Sequence, residues 1–329
     1  MKLFNDFKKR SLLNKGVKLL NQGKYGESLE CLDKALELDP NDREILHSKG
    51  VALKELGKFE ESIKCFDKVL ELDKKVYSAW NNKGFIFAKL GQQRDALKCY
   101  DKALEINPKY FDAWNNKGGL LTKLGKYEES LKYYNKALEL NPKYLKAWNN
   151  KAVVFGKLGK HEEELNCFDK ILEMNPEDTD TWYNKGVSLQ EMELYQEALK
   201  SYDMVLKLDE TDLSAINNKG VIFKELGKYN KALECFDKVL ELNPNKIETM
   251  GNKGITFREL GKFPESLNCF NKLLKLNPND KMGWYHKGLA LEKLGKHVEA
   301  IKSFDNSLKL DPDFEPAKKG KERILASKI

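Results

Sequence analysis

The chain has 329 residues, 41% hydrophobic and 33% charged, with 58 basic against 51 acidic side chains and a formal charge of +7. Lysine and glutamate interleave, and no long run of like charges gathers the small excess, which argues against a nucleic-acid partner. No apolar stretch approaches the roughly 18 residues of a membrane-spanning helix, and the start, MKLFNDFKKR, lacks the apolar core of a signal peptide; no membrane partner and a cytoplasmic location are expected.

After a polar lead-in, 1–8, a 34-residue phrase is repeated nine times without insertion. The copies occupy 9–42, 43–76, 77–110, 111–144, 145–178, 179–212, 213–246, 247–280 and 281–314. A fixed period of this length marks a helix-turn-helix solenoid in which each unit packs on its neighbours, so one elongated all-α domain is expected. In the third copy Trp80, Gly84, Phe87 and Leu90 stand at positions 4, 8, 11 and 14, a helical spacing. Position 15 is glycine in eight copies, as a helix end requires. A second helix follows, with Leu97, Tyr100, Leu104 and Ile106 apolar, and Pro108 or its equivalent closes it in seven copies. The two helices should lie antiparallel.

Two copies depart from the pattern. In the fifth, Ala152 and Glu164 replace the Gly of position 8 and the small residue of position 20, placing larger side chains at a close helix contact. In the sixth, Glu193 replaces the helix-ending glycine and Glu210 the proline. Residues 145–212 are therefore expected to be the least stable segment and a candidate hinge. Beyond the ninth copy, 315–329 reads as a capping amphipathic helix carrying Ile324, Leu325 and Ile329, with Lys318, Lys319, Lys321 and Arg323 turned to solvent.

Trp80, Gly84, Phe87, Ala96, Tyr100, Ala103 and Pro108, at positions 4, 8, 11, 20, 24, 27 and 32, resemble the tetratricopeptide repeat pattern, and the resemblance covers 9–314. It implies a right-handed α-solenoid, a superhelix of antiparallel helix pairs with the first helices lining the concave side. All five tryptophans hold position 4 and read as core. Cys31, Cys65, Cys99, Cys167, Cys235 and Cys269 all hold position 23; one repeat apart, they are too distant for disulfides and read as small half-buried residues of the second helix in a reducing compartment.

Enzyme signatures are missing. The four histidines fall at unrelated places in the repeat, and no phosphate-binding glycine loop or metal-ligand spacing occurs, so neither catalysis nor a cofactor or metal is expected. The informative feature is position 6: Asn14, Asn82, Asn116, Asn150, Asn184, Asn218 and Asn252. At 100° per residue it lies about 200° from position 4, away from the partner helix. Asparagine is a poor helix former, yet its amide matches the C=O and N–H of an extended backbone. The row is similar to the asparagine ladder in the tetratricopeptide arm of O-linked N-acetylglucosamine transferase, whose catalytic portion has no counterpart here. Hydrogen bonding to a neighbouring helix is the competing use.

Beside the row, position 9 is apolar in most copies, including Phe85, Val153, Val187 and Val221. The peptide-binding candidates are therefore Asn82, Asn116, Asn150, Asn184 and Asn218 for the backbone, those four apolar residues for side chains, and Lys89, Lys123 and Lys157 for acidic groups. Position 7 is lysine in all nine copies, its stem expected to pack and its ammonium to reach water. Counted over positions 2, 5, 6, 9, 12 and 13, the first five copies carry six basic and three acidic residues, the last four the reverse, which would give a charged ligand a direction. The family's clamp for a chaperone C-terminus, Lys at position 5 and Asn at position 9, is absent. The expected role is a non-catalytic scaffold binding an extended protein segment. Self-association through the end repeats and RNA binding by a helical repeat are the alternatives.

Overall fold

The computed structural model describes residues 2–326, and the chain gathers into two compact units, Met1–Met174 and Asn175–Ile329. The first holds α1 (Lys2–Asn21), α2 (Tyr25–Leu38), α3 (Arg43–Glu55), α4 (Phe59–Leu72), α5 (Tyr77–Lys89), α6 (Gln93–Ile106), α7 (Phe111–Lys123), α8 (Tyr127–Leu140), α9 (Leu145–Lys157) and α10 (His161–Met174). The second holds α11 (Thr179–Glu191), α12 (Tyr195–Leu208), α13 (Leu213–Glu225), α14 (Tyr229–Leu242), α15 (Ile247–Glu259), α16 (Phe263–Leu276), α17 (Lys281–Lys293), α18 (His297–Leu310) and α19 (Glu315–Ala326). Each unit is a helical-repeat solenoid, with two helices per copy. The lead-in is no separate segment: from Lys2 it is part of α1.

The glycine of position 8 makes the pairing possible. A Cβ on Gly84 would come within 2.7 Å of the Tyr100 ring, and one on Gly220 within 2.6 Å of Phe236. The missing side chain lets the ring of position 24 lie against the first helix. Ser28 and Ser62, at position 20, donate to the Gly16 and Gly50 carbonyls at 2.8 and 2.6 Å.

The fifth copy solves its larger residues differently. Ala152 is buried against Phe168, which is 5% exposed where its counterparts Phe66 and Phe236 are fully covered. The Glu164 carboxylate lies over Gly156, where a Cβ would meet it at 2.6 Å. Gly156 thus supplies the room that position 20 took away. In the sixth copy Glu193 keeps the left-handed conformation of the glycines, at φ 59°, the one non-glycine residue with positive φ among the described residues. Its neighbours preserve the helix-end bonding: Glu193 N–H donates to Gln190 and Leu194 N–H to Leu189.

Trp80, Trp114, Trp148 and Trp284 pack against the core from its edge, and all five tryptophans are also joints between copies. Each is half-buried, and its Nε1–H donates to the carbonyl of position 32 in the preceding copy: Trp80 to Lys74, Trp114 to Pro108, Trp148 to Pro142, Trp182 to Pro176 and Trp284 to Pro278, at 2.8–3.0 Å. Fully buried rings come from position 24 instead.

The capping helix also departs from expectation. Ile324 is buried but Leu325 is 46% exposed, and Ile329 lies outside the described residues. Three of its four basic residues are tied down: Lys318 to Glu315, Lys321 to Asp305 at 2.7 Å, and Arg323 to Glu292 through two 2.6 Å bonds.

Candidate functional site

In the first unit α5, α7 and α9 stand side by side, so positions 5 and 6 of one first helix meet the next. The asparagines are consequently half-buried at 82, 116 and 150. Asn116 Nδ2 donates to Asn81 Oδ1 at 3.0 Å and Asn150 Nδ2 to Asn115 Oδ1 at 2.9 Å. Asn82 is committed on both sides, donating to the Ser78 carbonyl and accepting from Lys54 Nζ, each at 3.0 Å. The row is thus partly scaffold, which corrects its placement on a free surface. The buried asparagines of position 5, Asn81 and Asn115 here and Asn217 in the second unit, are not singled out by periodicity; the tandem Asn-Asn of the third, fourth, fifth and seventh copies is the available signal.

Asn116 and Asn150 each retain Oδ1 and a second N–H, and they border a recess of about 290 Å³ that also takes in Phe85, Lys89, Lys123 and Val153. Six of the twelve candidates therefore meet in one place, on three consecutive first helices. Its floor is the Tyr134 hydroxyl, bonded to Thr122 Oγ1 at 2.9 Å; burial raises the Tyr134 pKa, so the hydroxyl stays protonated at neutral pH. Lys157, at the end of α9, is exposed and outside the recess lining. Among the described residues Lys89, Lys123 and Lys157 form no ion pair, whereas Lys54 on α3 is paired with Glu55 at 3.0 Å.

The remaining candidates belong to the second unit. Asn184 is exposed, while Val187 and Val221 are half-buried. Asn218 Nδ2 is shared between the hydroxyls of Tyr183 at 3.2 Å and Tyr202 at 3.1 Å, so its amide is largely used by the scaffold. The groove charges expected there are also partly spent: Lys224 pairs with Glu225 and Glu292 with Arg323, while Arg258 bonds the uncharged His286 ring.

The position 7 lysines do more than reach water. Lys49, Lys83, Lys117, Lys219 and Lys253 each bond the position 25 aspartate of the preceding copy: Asp33, Asp67, Asp101, Asp203 and Asp237. Burial, the largest single influence, disfavours the Lys117 charge, but the hydrogen bonds and charges of Asp101 and Tyr133 together outweigh it and the pKa is raised. Where position 25 is asparagine, at 135 and 271, Lys151 and Lys287 lie over Trp148 and Trp284 at 5.1 Å. This row is an inter-repeat tie, so it leaves few charges for a partner.

Burial raises the thiol pKa values of Cys99 and Cys167 to about 11, and all six cysteines are free thiols. Among the described residues no His, Cys, Asp and Glu group is arranged to hold a metal, and no helix is long and apolar enough to cross a membrane.

One profile of the tetratricopeptide repeat family matches residues 10–42, 77–110, 111–144, 179–212 and 214–246, just over half of the chain. The chain belongs to the tetratricopeptide repeat family. Further profiles of the family match 44–76, 133–166 and 252–313. No curated protein matches the chain. Among solved structures, the APC/C hetero-tetramer Cut9-Hcn1 is similar at a TM-score of 0.51 and 16% identity, over 95% of this chain and 75% of that one. A tetratricopeptide repeat protein from Parabacteroides merdae gives 0.55 and 19%, over 76% and 98%. TTC0263, a thermophilic protein from Thermus thermophilus, gives 0.50 and 20%, over 55% and 99%. At these identities the likeness speaks to fold alone. The family typically provides a non-catalytic scaffold, and membership supports a protein-interaction role in general.

Proposed function

We propose that this tetratricopeptide chain is a scaffold that holds an extended segment of another protein against the first helices of its first unit. The observation that carries the reading is the recess shared by α5, α7 and α9, where apolar wall, amide groups and lysines without a carboxylate partner converge, Lys89 lying over the Phe85 ring at 5.5 Å. An extended backbone presents N–H and C=O groups alternately, and Asn116 and Asn150 have capacity left for both. Lys89 and Lys123, with Lys157 beyond them, supply charges that no carboxylate of the scaffold satisfies, so the segment would be acidic. The exposed Asn184 and the half-buried Val187 and Val221 of the second unit offer the same types of contact there. A cytoplasmic location belongs to this reading as an expectation.

Photo-crosslinking tests it. A photoreactive side chain placed at Lys123 or Val153 should trap protein segments from a cell lysate, whereas one at Lys98, 78% exposed on a second helix, should trap far less. Equal trapping at both places, or none at the recess, would overturn the reading.

A further inference from the structure

Two glycines stand next to each other on α7, and their surroundings differ. Gly118 is demanded by packing, since a Cβ there would come within 2.8 Å of the Tyr134 ring. Gly119 is not: the nearest atom to a Cβ would be the Tyr134 hydroxyl, at an ordinary 3.8 Å, and its backbone is helical with negative φ. Glycine inside a helix is destabilising without such a reason. The eight other copies all carry Val, Phe, Ile or Leu at this position. The single gap in that apolar row lies at the recess, between Phe85 one copy earlier and Val153 one copy later.

Resting on the reading that this face holds an extended segment, we infer that the gap at Gly119 is a specificity pocket. It takes one large apolar side chain of the partner, flanked by carboxylates that meet Lys89 and Lys123. Phe85, Leu120 and Val153 offer apolar wall, Val153 being 53% exposed as it stands. The floor asks for no new hydrogen bond, because Thr122 Oγ1 donates to the Gly118 carbonyl at 3.1 Å and can accept from the Tyr134 hydroxyl at 2.9 Å. A volume of about 290 Å³ falls just below the roughly 300–1,000 Å³ of small-molecule sites, which suits one side chain rather than a cofactor. The charge argument comes from comparison within the chain. Lys54 and Lys224, also near the ends of first helices, are neutralised by the adjacent Glu55 and Glu225, while Lys89 and Lys123 are exposed and left without a carboxylate.

The test uses the full chain and short fluorescein-labelled peptides with acidic flanks and a central Leu, Phe or Ala, read by fluorescence anisotropy. Burying a large apolar side chain should make the Leu or Phe peptide bind about tenfold or more tighter than the Ala peptide. Gly119→Val, which installs the side chain most common at this position where a Cβ meets nothing closer than 3.8 Å, should erase that preference. Lys89→Glu with Lys123→Glu should weaken all three peptides, and neutral flanks should do the same.

If the acidic peptides bind and the lysine variants weaken them, but the central residue or Gly119→Val makes no difference, the groove stands and the pocket is wrong. Equal binding of peptides with neutral flanks would overturn the carboxylate contacts. If no acidic peptide binds, groove and pocket fall together. A concentration-dependent mass that Gly119→Val abolishes would assign the pocket to a second copy of the chain and overturn the assignment to a partner.

Discussion

At the scale of single residues, His286 and Glu193 occupy places where the other copies use a residue better suited to the backbone or to burial. His286 stands where most copies have asparagine; burial first, and the charge of Arg258 second, lower its pKa to about 4. A base with a depressed folded pKa binds protons more readily unfolded, so stability falls as pH drops below the ordinary value near 6.5. By pH 5 the loss from this group should be on the order of 1–2 kcal/mol. His286→Asn should remove it, because Arg258 can donate to the amide as Lys54 does to Asn82. Denaturant melts at pH 7 and pH 5 would check this: the two proteins should converge at neutral pH and separate in acid. Glu193→Gly should relieve about 1–2 kcal/mol of left-handed strain, less about 0.5–1 kcal/mol of added backbone entropy, and raise the melting temperature modestly. Both positions were visible in the sequence as departures from the repeat, whereas the burial of His286 depended on which neighbours surround it.

Within one element, α7 shows how far a repeat pattern can be read. The Gly of position 8 was legible because every copy but the fifth has it, and the packing explains why. The Gly of position 9 belongs to one copy only, and a period averages such a residue away. The two glycines should therefore answer opposite ways to alanine. Gly118→Ala pushes a methyl group into the Tyr134 ring and should cost about 1–3 kcal/mol. Gly119→Ala meets nothing close and should gain up to about 1 kcal/mol from helix propensity. Chemical denaturation of the two variants beside the parent chain would separate them by several times the error of the measurement. The asparagine row carries a similar lesson. Helical angles placed it away from the partner helix of its own copy, which holds, but angles around one helix cannot say that the next first helix covers that side.

For the whole molecule, stability is distributed along the chain copy by copy, since each copy packs on its neighbours. The order of helices was therefore legible from the period alone, while the division into two units was not. That division falls between Met174 and Asn175, within the two irregular copies. The fifth copy fits its larger residues by using Gly156 as a recess for Glu164, so its helices remain paired. The sixth keeps its helix-end hydrogen bonds but carries a non-glycine residue in the left-handed conformation at Glu193, and Glu210 replaces the proline that stiffens most other copies at that point. Local opening free energies differ along a protein with the contacts that hold each part. Amide hydrogen exchange should consequently be faster in 179–212 than in the regular copies 77–110 and 111–144, with 145–178 between them. Glu193→Gly should slow exchange in the sixth copy and leave 77–144 unchanged, because strain released in one repeat is felt by its immediate neighbours. Protection in 145–212 equal to that of the regular copies would show that the irregular residues weaken nothing, and would remove the argument for a hinge.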